Sequence, residues 1–258
     1  MPIAIACCTE LDRAISLGEA CFDTCRAIDG SVFAWEHHLT RLVSGATQLG
    51  ITLDASEQQR IHRAVMQHAT TADGMLRLTI SAGDAPWGLL AQGDSPQVWL
   101  QHAPLPKPRA IALISMPSPR PELPMNAKFS SDYSIMLRSG GRAILQQGGM
   151  PLLWQQDRLL GTAVANIAIR YSKKWLTPTT AAGGVLPGII RHHLLQHGSL
   201  HEAICSHAMV AQSPAIVLLN SGGFVQAATS IDGRPLDANH HAITELHAPF
   251  IGVDGTPW

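Results

Sequence analysis

The sequence is poor in charge. Charged residues make up 14% of its 258 residues, and the formal net charge at pH 7 is -1. Proteins that hold nucleic acid or anionic lipid by electrostatic attraction carry a basic surplus, which this chain lacks. Hydrophobic residues reach 46%, so the chain can bury a sizeable core, and this composition argues against an intrinsically disordered protein.

Long apolar runs and leader signals are also missing. No run approaches the roughly 18 apolar residues of a membrane-spanning helix, and residues 1–12 lack the basic start of a secretory signal. The cysteines are odd in number and have no metal-type spacing: Cys7, Cys8, Cys21, Cys25 and Cys205. This usage favours free thiols in a reducing compartment. We therefore expect a cytoplasmic protein that binds neither nucleic acid nor a membrane.

Hydrophobic periodicity predicts a mixture of strands and helices. Two β-like runs flank Asp29-Gly30, which is a hairpin signal. Apolar spacing predicts helices at 36–49, 56–68, 131–146 and 187–196. Strand patterns lie at 75–83, 99–103, 110–116, 151–155, 163–170, 174–178, 217–220 and 225–231. Because strands and helices do not alternate strictly, the pattern favours α+β layers over a doubly wound sheet.

A proline-rich segment divides the chain. The segment PSPRPELP, at 117–124, carries four prolines in eight residues, and proline can neither continue a central strand nor enter a helix interior. It therefore predicts a stiff, extended connector. We expect a smaller N-terminal α+β domain over 1–115, the connector over 116–124 and a C-terminal domain over 125–258.

Two basic residues are candidates for chemistry. Lys128 follows the connector in MNAKFSSDY. A lysine amine condenses with aldehydes, and burial lowers its pKa toward the reactive form; an exposed lysine is the commoner alternative. Arg41 lies on the polar side of the first predicted helix, where contact with solvent is the usual explanation.

Two turns are candidates for anion binding. GGVLPGIIR, at 183–191, opens a helix whose free N–H groups at Ile189 and Ile190 favour a phosphate, although an ordinary helix start has the same pattern. NSGG, at 220–223, offers further N–H groups and the Ser221 hydroxyl, and a simple turn is its alternative. His193, His197 and His201 are spaced by four, but Gly198 interrupts their helix and no carboxylate completes a zinc motif. We expect no metal site.

The order of these motifs resembles that of fold type IV pyridoxal-phosphate enzymes. This group includes branched-chain and D-amino-acid aminotransferases and 4-amino-4-deoxychorismate lyase. The opening GEACFDTCRAIDGSVFAWEHHLTRL is similar to the family opening and ends in a helix that carries Arg41. Lys128, an Asn-led strand at Asn166, Thr177-Pro178 and LPGIIR then follow in the family's order. The resemblance spans nearly the whole chain.

The resemblance implies a fold, a cofactor and a set of roles. It implies a two-domain α+β fold of the D-amino-acid-aminotransferase type, with pyridoxal 5'-phosphate in the cleft between the domains and a homodimer as the assembly. Lys128 would hold the cofactor covalently and move the proton at the substrate α-carbon. The phosphate would be bound by Arg41, the backbone of Ile189 and Ile190, and Ser221.

One position departs from the family pattern. Family members usually carry a glutamate five residues before the asparagine of the Asn-led strand, where it keeps the pyridine nitrogen protonated. Here that position is Gly161, and a protonated ring is the stronger electron sink. Thr162 could instead hydrogen-bond the nitrogen in its neutral form, an acid from elsewhere could substitute, or the chain could have kept the fold and lost the cofactor.

Within the group, the lyase branch is the most similar. CFDTCRAIDG, GMLRLTISAG and the pair Asn220-Ser221 resemble the enzyme that releases pyruvate from aminodeoxychorismate to give 4-aminobenzoate for folate. By this resemblance Thr24 is a candidate for proton handling, and Arg77 for a substrate carboxylate, with an exposed strand arginine as the alternative. The other hypotheses are an aminotransferase for a branched-chain or D-amino acid and a non-catalytic relic.

Overall fold

The computed structural model describes residues 10–107, 109–120, 125 and 127–257. Its strands are β1 Glu10–Asp12, β2 Ala20–Ile28, β3 Ser31–Val32, β4 Gly74–Ser81, β5 Asp84–Pro86, β6 Gln97–Ala103, β7 Ala112–Pro117, β8 Gly149–Gln155, β9 Arg158–Thr162, β10 Asn166–Tyr171, β11 Lys174–Pro178, β12 His201–Ala203, β13 Ile216–Asn220, β14 Phe224–Ala227, β15 Ser230–Ile231 and β16 Arg234–Pro235. Its α-helices are α1 Arg13–Ser16, α2 Trp35–Gln48, α3 Ala55–Ala69, α4 Ser130–Met136, α5 Arg142–Gln146, α6 Ile189–Gln196, α7 His207–Gln212 and α8 Thr244–His247.

The first sheet grows from the predicted hairpin. Asp29 and Gly30 both have positive φ, at 48° and 78°, as the tight turns that match strand twist require. β4 pairs antiparallel with β2, and β6 adds outside it, in the order β3-β2-β4-β6. Helices α2 and α3 pack their apolar stripes on this sheet and close one hydrophobic core. Both helices lie within one residue of their predicted bounds.

Besides the short two-stranded sheet β1-β5, the fold has two five-stranded sheets. One has the order β12-β11-β10-β13-β14 and the other β16-β15-β7-β8-β9. Their facing sides enclose a second core, and α6 lies on the outer side of the first of them with a third apolar cluster. The mixture of antiparallel and parallel pairs agrees with the predicted α+β layers.

The predicted helix at 131–146 is interrupted. A π-helical segment, Leu137–Gly141, separates α4 from α5, and Ser139 and Gly140 leave helical geometry, with φ of 103° at Gly140. Glycine reaches this conformation without strain. At Gly141 a Cβ would come within 2.2 Å of the Met136 sulfur, so two adjacent glycines permit a bend that the hydrophobic pattern does not reveal.

Several strands differ from their predictions. The run predicted at 225–231 is split into β14 and β15, and β5, which pairs with β1, lies within residues 83–97, where no strand was predicted. β9 was not predicted. The second β-like run, which follows the Asp29-Gly30 turn, is a strand only as far as Val32. Ala34 adopts a left-handed conformation, and α2 starts at Trp35. β5 and β15 are held by partners distant in sequence, β1 and β7, which local patterns do not indicate.

The strand that precedes the proline-rich connector belongs to a later sheet. β7 pairs in parallel with β8 and β15, although it was assigned to the N-terminal unit by its position in the chain. Residues 121–124 of the connector lie outside the described residues. The division at 116–124 therefore stays a prediction.

Three expectations concerned membrane-spanning helices, metal sites and the state of the cysteines. None of the described helices is long and apolar enough to cross a membrane, and the described residues contain no cluster of three or more metal-ligating side chains. Cys21, Cys25 and Cys205 are free and buried. Cys7 and Cys8 lie outside the described residues.

Candidate active site

Lys128 is attached to the first sheet. Its carbonyl oxygen accepts a 2.9 Å hydrogen bond from the backbone N–H of Phe22, and the next residue, Phe129, forms a β-bridge with Cys21. Burial lowers the pKa of Lys128 from 10.5 to about 8; the negative charge of Asp23 opposes this shift, and nearby arginines reinforce it. A substantial fraction of this amine is therefore in the reactive neutral form near pH 8.

Two adjoining cavities share Lys128 and Ser221. The first is a cleft of about 640 Å³, a volume that includes open solvent at its mouth. Its lining includes Arg41, Arg120, Asp132, Gly161, Thr162, Asn166, Gly188 and Ile189. The second is lined by Phe22, Thr24, Arg77 and the turn after β13, among others.

The predicted site residues are therefore brought together from across the chain. Arg41, Lys128, Thr162, Ile189 and Ser221 line the first cavity, and Thr24 and Arg77 line the second. The side chain of Ile190 is buried in the core. The prediction for Ile190 concerned its backbone, which lies in the first turn of α6.

The start of α6 has the features of an anion cradle. Gly188, the residue before the helix, has no side chain to cap the first N–H groups, which leaves them available to a ligand. A Cβ at Gly188 would lie 1.9 Å from Oδ1 of Asn166, so the close approach of Asn166 requires glycine there. Asn166 donates a 2.8 Å hydrogen bond to the Leu186 carbonyl, and Arg41 Nη1 donates to the Pro187 carbonyl at 3.3 Å.

The NSGG turn contributes less than its sequence suggests. The N–H groups of Gly222 and Gly223 donate to the Asn220 side chain at 3.0 and 2.9 Å. The expectation that they offer further N–H groups to an anion is therefore wrong, because the asparagine side chain already occupies them. The Ser221 hydroxyl lies 3.5 Å from His38 Nε2.

A buried charge network lies beneath the cradle. Asp23 accepts hydrogen bonds from Arg41 Nε at 2.7 Å and Arg41 Nη2 at 2.8 Å, and it lies 2.9 Å from His38 Nδ1. Burial opposes ionisation of Asp23, but the hydrogen bond from His38 and the charge of Arg41 hold its pKa well below the usual range. Burial lowers the pKa of His38, and the contact with Asp23 opposes that shift. Arg41 is thus buried rather than solvated.

The backbone at the position of the missing glutamate disfavours a side chain. Gly161 has φ of 151°, and a Cβ there would lie 3.1 Å from the Ala165 carbonyl oxygen. The Thr162 hydroxyl donates to that same oxygen at 3.1 Å and accepts from the Ala165 N–H at 2.9 Å. Thr162 therefore lines the cavity with a hydroxyl whose proton is already in use.

Asp132 is the only carboxylate among the described residues that line the two cavities. It lies in the first turn of α4, four residues after Lys128. Burial raises the pKa of Asp132, and the charge of Arg120 opposes that shift. It is thus a half-buried carboxyl group that lines the same cleft as Gly161 and Thr162.

The second cavity has a cationic wall. The Arg77 guanidinium lies 3.6 Å from the centroid of the Phe22 ring, a cation–π distance. Tyr133 packs its edge on the same ring, with centroids 5.1 Å apart. Thr24 is paired directly with Arg77 across β2 and β4, so both side chains point to the same face of the sheet. Arg77 is half-buried, not a fully exposed strand arginine.

Sequence reasoning missed several site residues. Asp23, His38, Arg120, Asp132 and Tyr133 were not predicted. Asp23 had a signal, because it occupies a core-facing position between Cys21 and Cys25 in β2, and a buried carboxylate needs a partner. His38 had one too, since it shares a helical face with Arg41 and Leu42. The other three carried no such signal.

Comparison with known proteins identifies the family. The fold and the lysine-centred cleft are those expected of a type IV enzyme, and the sequence profile of amino-transferase class IV matches residues 20–231. The chain belongs to this family. The expected class, a pyridoxal-phosphate-dependent lyase or aminotransferase, is confirmed by this membership. A protein of Schizosaccharomyces pombe provisionally named aminodeoxychorismate lyase is 25% identical over 183 residues, covering 67% of this chain and 72% of that protein.

Solved structures agree on the fold. The 4-amino-4-deoxychorismate lyase of Pseudomonas aeruginosa is 20% identical, with a TM-score of 0.77, over 98% of this chain and 97% of that one. A hypothetical aminotransferase of Mycobacterium tuberculosis, in a PLP-bound form, is 21% identical, with a TM-score of 0.77, over 97% and 94%. At these identities the likeness shows the fold, and both lyases and aminotransferases share it.

Proposed function

We propose that the protein is a pyridoxal-phosphate-dependent lyase that releases pyruvate from 4-amino-4-deoxychorismate and yields 4-aminobenzoate. The observation that carries the proposal is the position of Lys128 between an anion cradle and a cavity with a cationic wall. A phosphate-bearing aldehyde fits the first cavity, and a carboxylate-bearing amine fits the second. The absence of a glutamate at Gly161 favours elimination over transamination, because elimination tolerates a neutral ring nitrogen better.

The residues present fit the cofactor. An amine of lowered pKa lines the same cavity as a helix start whose first N–H groups have no side-chain cap. Lys128 would hold the cofactor, while Arg41, the backbone of Ile189 and Ile190, and Ser221 would hold its phosphate, and Thr162 would lie beside its ring. When bound, the cofactor supplies the electron sink for charge that develops on the substrate α-carbon.

The chain's own residues would bind substrate and move protons. The amine of Lys128, with a pKa of about 8, is suited to accept and return a proton at the α-carbon near neutral pH. Arg77 faces the same cavity and would bind a substrate carboxylate through a charge-assisted hydrogen bond. Thr24, its cross-strand partner, would pass a proton to the departing pyruvate.

An aminotransferase for a branched-chain or D-amino acid is the second candidate, and one observation favours it. Asp132 lies on the cleft and can serve as the acid from elsewhere that keeps the ring nitrogen protonated. A protonated ring supports transamination. The lyase and the aminotransferase candidates therefore differ in whether Asp132 keeps the ring nitrogen of the cofactor protonated.

The test begins with covalent labelling. The protein is incubated with pyridoxal phosphate, reduced with borohydride and mapped by peptide mass spectrometry, with Lys128→Ala as the control. We expect an adduct on Lys128 in the unmodified protein alone. Pyruvate and 4-aminobenzoate release from aminodeoxychorismate is then measured beside amino transfer to a keto acid. Amino transfer without pyruvate would overturn the lyase proposal, and a folded protein without an adduct would leave the non-catalytic relic.

We further propose a cytoplasmic homodimer. Buried, unpaired Cys21, Cys25 and Cys205 suit a reducing compartment. Trp87 and Leu90 are exposed by 100% and 95%, and contiguous exposed apolar side chains mark interaction surfaces. Light scattering on the purified protein is expected to give twice the chain mass, and Trp87→Ser is expected to shift it toward the monomer. A monomer at all concentrations would reject the dimer.

A further inference from the structure

His38 connects the buried acid to the predicted phosphate cradle. Its ring lies between Asp23 and Ser221, with 2.9 Å from Nδ1 to Asp23 Oδ1 and 3.5 Å from Nε2 to Ser221 Oγ. His38 is 1% exposed. Asp23 is ionised, since its pKa is held well below the usual range by His38 and Arg41 against the effect of burial. An ionised carboxylate only accepts hydrogen bonds, so His38 carries its proton on Nδ1.

This tautomer determines what Ser221 can do. In a neutral His38 with a proton on Nδ1, Nε2 is an acceptor, and the Ser221 hydroxyl is the donor that faces it. A phosphate dianion is also only an acceptor. Ser221 has a single hydroxyl proton, so His38 and a phosphate would compete for it. Both contacts are satisfied only when Nε2 is protonated and donates to Ser221, which then donates to the phosphate.

The charges around the cradle also favour a protonated His38 once a phosphate is bound. Arg41 already directs two of its N–H groups to Asp23, so this pair has little net charge to offer a dianion. Three charged groups face His38: Asp23 from β2, Arg41 from its own helix and Lys128 from the segment before α4. Burial opposes protonation of His38 most strongly, Asp23 favours it, and the two cations oppose it. A dianion in the cradle would add negative charge on the Ser221 side and shift the balance toward the imidazolium.

We propose that His38 takes up a proton from solvent when a phosphate monoester occupies the cradle of Arg41, α6 and Ser221. This inference rests on the proposed function for the identity of the ligand. His38 is a positioning residue in this account: it acts through Ser221 and fixes the direction of the Ser221 hydroxyl. Cofactor affinity should then weaken as the pH rises.

The test measures protons rather than turnover. The probe is pyridoxine 5'-phosphate, which has no aldehyde and cannot condense with lysine. All proteins carry Lys128→Met, so that the amine with a pKa of about 8 contributes no proton of its own. Calorimetry at pH 8 in buffers of different ionisation enthalpy gives the protons bound per site, and ¹⁵N NMR reports the state of the His38 ring.

We expect uptake approaching one proton per site, and a dissociation constant that rises by up to about tenfold per pH unit while His38 titrates. Ser221→Ala and His38→Gln should each abolish the uptake. His37→Gln is the matched control, because His37 is the adjacent exposed histidine on the same helix, and it should behave as the parent. Ser221→Ala keeps the test decisive if His38→Gln fails to fold.

Two negative outcomes are distinguishable. Tight binding of the probe with no proton uptake, or with uptake unchanged by Ser221→Ala, would overturn the role of His38 and leave the proposed function intact. No binding of the probe to folded protein would overturn the phosphate cradle itself, and the proposed function with it. Equal binding of pyridoxine without its phosphate would likewise reject the cradle.

Discussion

Asp23 and Arg41 form a two-point ion pair inside the protein. The guanidinium donates to both carboxylate oxygens, at 2.7 and 2.8 Å, and both side chains are less than 10% exposed. The pair joins β2 to α2 at the edge of the predicted phosphate cradle. It sets the direction in which Arg41 Nη1 faces α6, and it also determines the tautomer of His38.

We expect Asp23→Asn to lower the free energy of unfolding by about 3–5 kcal/mol, because it leaves a buried guanidinium without its counter-charge. Urea denaturation measures the change. The lowered pKa of Asp23 means that its contribution is complete above the unfolded pKa of about 4 and is lost as the pH falls toward the folded value. The unmodified protein should therefore lose more stability on acidification than the variant.

The control for this change is Asp157→Asn. Asp157 pairs with His207 on the surface, where solvent screens the interaction. Asp157→Asn should therefore leave the urea midpoint of unfolding nearly unchanged. Equal losses in the free energy of unfolding for Asp23→Asn and Asp157→Asn would contradict a larger stabilising contribution from the buried Asp23–Arg41 pair.

We expect Gly161→Ala to destabilise the fold by about 1–3 kcal/mol, because φ of 151° strains any side chain. The new Cβ would also meet the Ala165 carbonyl at 3.1 Å. Thermal unfolding measures the change. Gly50→Ala is the matched control, since Gly50 has φ of 76° and nothing within 4 Å of its Cβ position. A loss at Gly161 no larger than that at Gly50 would show that the local backbone relaxes.

We expect the Lys128 amine to be the most readily methylated lysine at moderate pH. Because its pKa is about 8, its methylation rate should rise with pH and level off above pH 8. The methylation rate of an ordinary lysine should level off only above about pH 10.4. Reductive methylation followed by mass spectrometry measures each site, with exposed Lys173 and Lys174 as internal references. A titration midpoint near that of the references would contradict the desolvated amine.

We expect Arg77→Met to raise KM for the proposed substrate, aminodeoxychorismate, by about 10–100-fold with a smaller change in kcat. The reason is the loss of a charged hydrogen bond of about 1.5–3 kcal/mol to a substrate carboxylate. Steady-state kinetics measures both parameters. Arg63→Met, at an exposed position on α3, is the control and should behave as the parent. An unchanged KM would remove Arg77 from the substrate site.

Local patterns identified most of the framework. The spacing of apolar residues placed α2 and α3 to within one residue, and the Asp29-Gly30 turn predicted the hairpin, because these features depend on neighbours in the sequence. The motif around Lys128 and the LPGIIR turn indicated the family and the cleft. β9, the split of β14 from β15 and the bend at Gly140 were missed. β15 pairs with β7, which is distant in sequence, whereas β9 and the bend are local features that apolar periodicity does not reveal.

The sequence by itself determined α2, α3 and the first hairpin, the family, and the lysine that lines both cavities. Only the tertiary structure decided that Arg41 is buried on Asp23, that His38 reaches Ser221, and that Asp132 lines the same cavity as Gly161. The physical reason is that ionisable side chains take their state from the burial and charge around them. Those surroundings come from strands and helices that are far apart along the chain, and the periodicity of apolar residues does not reveal them.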